Sequence, residues 1–128
     1  MTTKHVVFTF MYNDDGELEL RATPGNVVVD LGAGDPARVK FTNLTDFPVE
    51  FQHMHFGPVP PRVRAMTRVR GISGFTIGPG ASKILSVEDL DAGQYVYVAS
   101  ANVSIARKRQ PQTFMVRGHS DPGIIVTP

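Results

Sequence analysis

Hydrophobic and polar residues alternate along most of this chain with a period of two, in short runs rich in Val, Phe, Ile, Thr and Tyr. No window carries the apolar spacing of an amphipathic helix of useful length, and only Val87–Leu90 has room for a single helical turn. The alternation predicts strands over His5–Tyr12, Glu17–Ala22, Asn26–Leu31, Ala37–Asn43, Val49–Phe56 and Arg62–Arg70. It continues through Phe75–Ile77, Ile84–Val87, Gln94–Ala101, Thr113–Arg117 and Gly123–Thr127. Asn13-Asp14-Asp15-Gly16 reads as the turn of a hairpin, and Gly32-Ala33-Gly34-Asp35-Pro36 as a second reversal. Pro58, Pro60 and Pro61 break the pairing between the fifth and sixth runs. Many short strands recurring every 8–12 residues or so predict an all-β sandwich or barrel.

Composition narrows this further. A chain of 128 residues is expected to be one domain, spanning 1–128, with a core that needs no staples. Its 41% hydrophobic and 20% charged residues are those of ordinary folded, soluble material. No apolar run approaches the roughly 20 residues of a membrane span. The start, Met1–Phe8, has no apolar signal segment, so a cytoplasmic protein is expected unless a leader has been removed from a mature secreted form. The absence of cysteine excludes disulfides, cysteine-ligated iron–sulfur clusters, thiolate nucleophiles and any copper–thiolate centre. The net charge of +1 hides an uneven distribution. Phe51 to Val87 contains no Asp or Glu, whereas Asp14 to Glu50 holds eight acids, so one basic and one acidic surface are expected.

Two clusters carry candidate chemistry. In His53-Met54-His55 the histidines are two residues apart, which on a strand puts both on one face, able to converge on one ion. With His119 or Met54 as a further ligand, such a set suits copper, and less specifically zinc or nickel. The plainer alternative is one surface histidine and one hydrogen-bonded histidine, and the residues alone leave both open. Arg62-Val63-Arg64-Ala65-Met66-Thr67-Arg68-Val69-Arg70 has a period of two and would set Arg62, Arg64, Arg68 and Arg70 on one face. Together with Arg107, Lys108, Arg109 and Arg117 they would offer a surface to an acidic protein, or simply protect an edge strand. Nucleic acid is disfavoured because no aromatic residues interleave with these cations. The paired carboxylates Asp14/Asp15, Glu17/Glu19 and Glu88/Asp89 read as solvated turn or strand residues. No Ser-His-Asp arrangement surrounds Ser100 or Ser104, and Gly78-Pro79-Gly80 is a turn, not a phosphate cradle.

Several segments together resemble a cupredoxin. Gly34-Asp35-Pro36-Ala37-Arg38-Val39-Lys40-Phe41-Thr42-Asn43 is similar to that family's G-D-x-V-x-F-x-N strand, with two extra residues after the Gly-Asp pair. Phe75–Ser82 resembles its I-x-P-G-x-S corner, Leu90–Tyr97 its L-x-x-G-x-Y-x-Y strand, and Gly123–Val126 loosely its closing strand. The resemblance implies a Greek-key β-sandwich, but no type 1 copper site. The positions of the family's ligands fall on Val49, Ala99, Asn102 and Asp121, none of which can replace the imidazoles and thiolate of a blue site.

Asn43 to Gly57 is similar to the element of multicopper oxidase first domains that supplies histidines to a copper cluster, although Phe56 intervenes before the glycine. The partner element there, Y-W-Y-H-S-H, falls on Tyr95–Ser100 without a histidine, and four histidines in the whole chain cannot complete that cluster. The expectation is a non-enzymatic, cupredoxin-like accessory domain that binds a metal, most simply a copper ion, through His53 and His55. The alternative is a metal-free sandwich acting in protein–protein contact or self-assembly, through the Arg62–Arg70 strand and the loop 102–112.

Overall fold

The first hairpin shows local sequence becoming structure. β1 (Lys4–Tyr12) and β2 (Leu18–Thr23) pair antiparallel from Val7↔Thr23 to Tyr12↔Leu18. Asn13 builds the turn: its Oδ1 accepts hydrogen bonds from the backbone N–H groups of Asp15 and Glu17, each at 2.9 Å. Gly16 takes the positive φ of 78° that the reversal requires, a conformation costly for any residue with a Cβ.

The computed structural model describes residues 3–56, 73–104, 112–117 and 122–128. Eight further strands follow: β3 (Asn26–Asp30), β4 (Arg38–Asn43), β5 (Val49–Phe56), β6 (Phe75–Ile77), β7 (Ser82–Ser86), β8 (Gly93–Val103), β9 (Gln112–Arg117) and β10 (Gly123–Thr127). The fold is all-β, and among the described residues no helix is long and apolar enough to cross a membrane. The ten strands form one mixed sheet in the order β3-β10-β8-β9-β2-β1-β4-β7, from which β5 and β6 branch at β8. The β1–β4, β2–β9 and β3–β10 pairs are parallel; the others are antiparallel.

β8 is the hub. One of its edges takes β10 at Gly93–Val96 and β9 at Ser100–Val103, while the other takes β5 across Tyr95–Ser100. The layers close on each other in a sandwich-like arrangement. Phe8 of β1 and Phe41 of β4 meet Tyr97 of β8 at 6.4 and 5.4 Å between ring centroids, and Phe41 meets Phe51 of β5 at 5.5 Å. Every second residue of β8, from Tyr95 through Val103, is buried in this core. Each such large side chain removed from water contributes about 1.5–3 kcal/mol, which fixes the phase of each strand.

Some boundaries differ from the sequence pattern. β7 begins at Ser82 rather than Ile84, because Ser82 pairs with Thr42 and their hydroxyls lie 2.8 Å apart. β8 runs to Val103, where Asn102 and Val103 pair with Thr113 and Gln112, so both ends of the expected loop 102–112 are strand. Val87–Leu90 forms a simple reverse turn rather than a helical one, closed by the Leu90 N–H donating to the Val87 carbonyl at 3.1 Å. The expected Arg62–Arg70 strand lies outside the described residues.

The link from β4 to β5 is held by a buried amide. Asn43 has no exposed surface; its Nδ2 donates to the carbonyls of Phe47 (2.7 Å) and Ile77 (2.9 Å). Its Oδ1 accepts from the Thr45 N–H (2.9 Å) and hydroxyl (2.7 Å). A fully satisfied buried side chain of this kind rigidifies what it touches, and here it fixes the approach to β5.

Candidate functional site

β5 starts in step with the core: Val49 and Phe51 are buried, and Glu50 between them is exposed. Simple alternation would carry His53 and His55 inward and Met54 outward. The strand instead has a β-bulge. Phe51 pairs with Ala99, but the next pair is His53 with Val98, leaving Gln52 as an extra residue on β5. The phase reverses there. Met54 pairs with Tyr97 and enters the core, while His53 and His55 turn to the outer face beside Val98 and Val96. Gln52 is tied down by its Nε2, which donates to Ser100 Oγ of β8 at 2.9 Å.

On that outer face the two imidazoles stand edge to face, with ring centroids 4.4 Å apart and planes at 73°. His55 is 1% exposed and His53 is half-buried. With metal–nitrogen bonds of about 2.0–2.1 Å, two imidazoles at roughly a right angle on one ion would have centroids about 4.5 Å apart. The observed separation of 4.4 Å is close to that spacing. Met54, between them in the chain, is buried in the core on the opposite side of the strand. His119, Asp121, Arg62, Arg64, Arg68, Arg70, Arg107, Lys108 and Arg109 lie outside the described residues. Among the described residues, no group of three His, Asp or Glu forms a metal-binding cluster.

Of the positions that the motifs match to blue-copper ligands, Val49 is buried in the core and Asp121 lies outside the described residues. Ala99 faces the core at 1% exposure, whereas Asn102 is exposed on the other face, accepting a hydrogen bond from Thr113 Oγ1 at 2.7 Å. Beyond the bulge, the outer face of β5 and β8 continues as a polar hollow of about 220 Å³ lined by Pro48, Glu50, Thr76, Ser100 and Asn102.

Two tyrosines of β8 have perturbed phenols. Burial pushes the Tyr97 hydroxyl above its ordinary value, and its Oη has no hydrogen-bond partner among the described residues. Burial also raises Tyr95, with the Asp91 carboxylate adding to the shift; its hydroxyl donates to the Asp91 carbonyl at 2.5 Å. Gln52 and Ser100 had no signature in the sequence: no glycine marks the bulge, and Ser100 acquires its role only through its cross-strand position. No protein-family model matches the chain, and no curated protein matches it either.

Proposed function

We propose that this chain is a non-enzymatic, non-blue metal-binding domain of the cupredoxin type, with His53 and His55 as its ligand pair and copper as the ion. One observation carries the reading: the two imidazoles share one face at 4.4 Å, turned outward by the bulge at Gln52, with one of them almost fully buried. Imidazoles set for adjacent positions on one ion suit the tetragonal preference of divalent copper, and nickel less specifically. The ion itself would supply Lewis acidity or a redox couple. The protein's part is to hold the two nitrogen donors from a rigid strand, with Met54 and Tyr97 packed beneath them. The absence of cysteine excludes a thiolate-ligated centre.

The Greek-key sandwich belongs to the same proposal. It is supported by the tyrosine corner at the start of β8, where Tyr95 bonds back to the Asp91 carbonyl, a device recurrent in Greek-key sandwiches. The cupredoxin likeness rests on the motifs quoted above.

Titration of the pure protein with Cu(II), followed by calorimetry and electron paramagnetic resonance, tests the reading. Near-stoichiometric binding with nitrogen hyperfine structure, lost in His53→Ala/His55→Ala, is expected. Equal, weak binding by wild type and double variant would end it. The second reading, a metal-free interaction subunit, is favoured by a separate observation, the segregation of charge on the opposite layer.

A further inference from the structure

Among the described residues the cations are Lys4, Arg21, Arg38, Lys40, Lys83 and Arg117, and every one lies on the layer formed by β1, β2, β4, β7 and β9. The only acid on those strands is Glu19. Register decides which of these side chains share a face. Val39, Phe41, Leu20, Ala22 and Val116 point into the core, so Arg38, Lys40, Arg21 and Arg117 alternate outward. Arg21 and Arg117 are direct neighbours across β2 and β9, and Lys40 lies between His5 and Ile84 across β1, β4 and β7. Arg21 faces Thr9, four residues along β1 from His5, so Lys40 and Arg21, two strands apart, are separated by about 16 Å.

Between them the face is uncharged: Val7, Thr23, Thr42 and Ser82. Glu19 is ion-paired with Arg21 at 2.9 Å and is also stabilised by the Arg117 charge beyond ion-pair distance, while among the described residues Arg38 and Lys40 have no carboxylate within ion-pair distance. Arg38 is instead oriented by its Nε donating to Thr3 Oγ1 at 2.9 Å. Ile84, 58% exposed, adds an apolar contact next to Lys40, beside a hollow of about 470 Å³ that Arg38 and Ser86 also line, with the Glu88 carboxylate at its margin.

We propose that this outer face of the β1-β2-β4-β7-β9 layer docks an acidic segment of another protein. The chemistry favours polypeptide over nucleic acid. The described residues put no aromatic side chain on the face for base stacking, and isolated cations around a neutral, partly apolar centre do not track a phosphate backbone. Carboxylates on the partner would meet Arg38, Lys40 and Arg117, and the uncharged centre with Ile84 would bury apolar surface. The surface is independent of the histidine pair, which lies on the other layer.

The test is fluorescence anisotropy of a labelled oligoglutamate with the whole protein at low and at high salt. Binding should weaken as salt rises and should fall about tenfold in Arg38→Glu/Lys40→Glu/Arg117→Glu. Far-UV circular dichroism checks that the variant is folded; should it not be, Arg38→Gln/Lys40→Gln/Arg117→Gln takes its place. That variant leaves Arg62–Arg70 and Arg107–Arg109 intact, so undiminished binding places the peptide elsewhere and overturns the proposal. Random-sequence duplex DNA that binds more tightly than oligoglutamate overturns it in favour of nucleic acid. Salt-sensitive self-association of the protein alone, abolished by the same variant, overturns it in favour of a second copy of this chain.

Discussion

Met54 and His55 are chain neighbours buried on opposite faces of one strand, Met54 at 0% exposure against the core and His55 at 1% on the outer side. A strand buried on both faces at this point is held in one phase by two environments at once. Slipping it by a single residue would put imidazoles against Tyr97 in the core and move the thioether to the outer face.

The bulge that sets this phase is expected to be tunable through Ser100. Ser100→Ala removes the acceptor of the Gln52 side chain and should cost about 1 kcal/mol of stability, the value of one part-buried hydrogen bond. Copper affinity should fall about tenfold in the same variant, as when an outer hydrogen bond that orients a ligand is lost. Thermal unfolding and calorimetric titration of the one variant read both effects. Stability lost with affinity unchanged would show that the bulge shapes the fold without positioning the histidines.

Tyr97 carries a buried hydroxyl with no hydrogen-bond partner among the described residues, in a ring that packs on Phe41 and Phe51. Tyr97→Phe keeps the ring and removes the unsatisfied group, so it should be neutral or stabilising by about 1 kcal/mol in chemical denaturation. The alkaline limb should change as well. Because burial holds this phenol above its unfolded value of about 10, its contribution is fully present below pH 10 or so and is lost as pH rises further. The variant should therefore lose less stability between neutral and strongly alkaline pH than wild type. The smaller contribution of Tyr95, raised in the same direction, should persist.

Asn43→Leu should be among the most damaging single changes. It strands the carbonyls of Phe47 and Ile77 and the Thr45 N–H in a buried site, at a cost of about 3 kcal/mol or more in urea unfolding. A loss below about 1 kcal/mol would mean that the link from β4 to β5 has other anchors.

Glu19 provides the acid-side counterpart. Its carboxylate accepts a hydrogen bond from Asn13 Nδ2 at 3.0 Å, the largest cause of its lowered pKa, with Arg21 adding to the effect. A depressed carboxyl contributes stability above its unfolded value of about 4.3 and loses it as pH falls through the lower folded value. Asn13→Ala should shift the Glu19 carboxyl resonance, followed by NMR titration, back toward the unfolded value. An unmoved resonance would count against the Asn13 contact as the cause.

How much of this was legible beforehand varies by element. The hairpin at Asn13–Gly16, the all-β class and the inward residues of β4 and β8 follow from local pattern, since turn chemistry and period-two alternation are properties of contiguous residues. The shared face of His53 and His55 was legible for the same reason. Which face that is was not, because alternation from Val49 and Phe51 points the histidines inward. Arg38 and Lys40 do not read as part of a basic face in sequence because the cations that share it, Arg21 and Arg117, come from distant strands brought onto one layer by the β1–β4, β1–β2 and β2–β9 pairings.

The sequence by itself determined that the chain builds strands, that no cysteine-ligated centre can form, and that two histidines travel together. These depend on composition and on near neighbours along the chain. Only the tertiary structure decided where the pair looks, because a bulge arises from matching β5 to β8, where Gln52 finds Ser100 and Met54 finds Tyr97 across the strand gap. It also decided which cations share a surface, since non-local strand pairing assembles a sheet face from residues far apart in the chain.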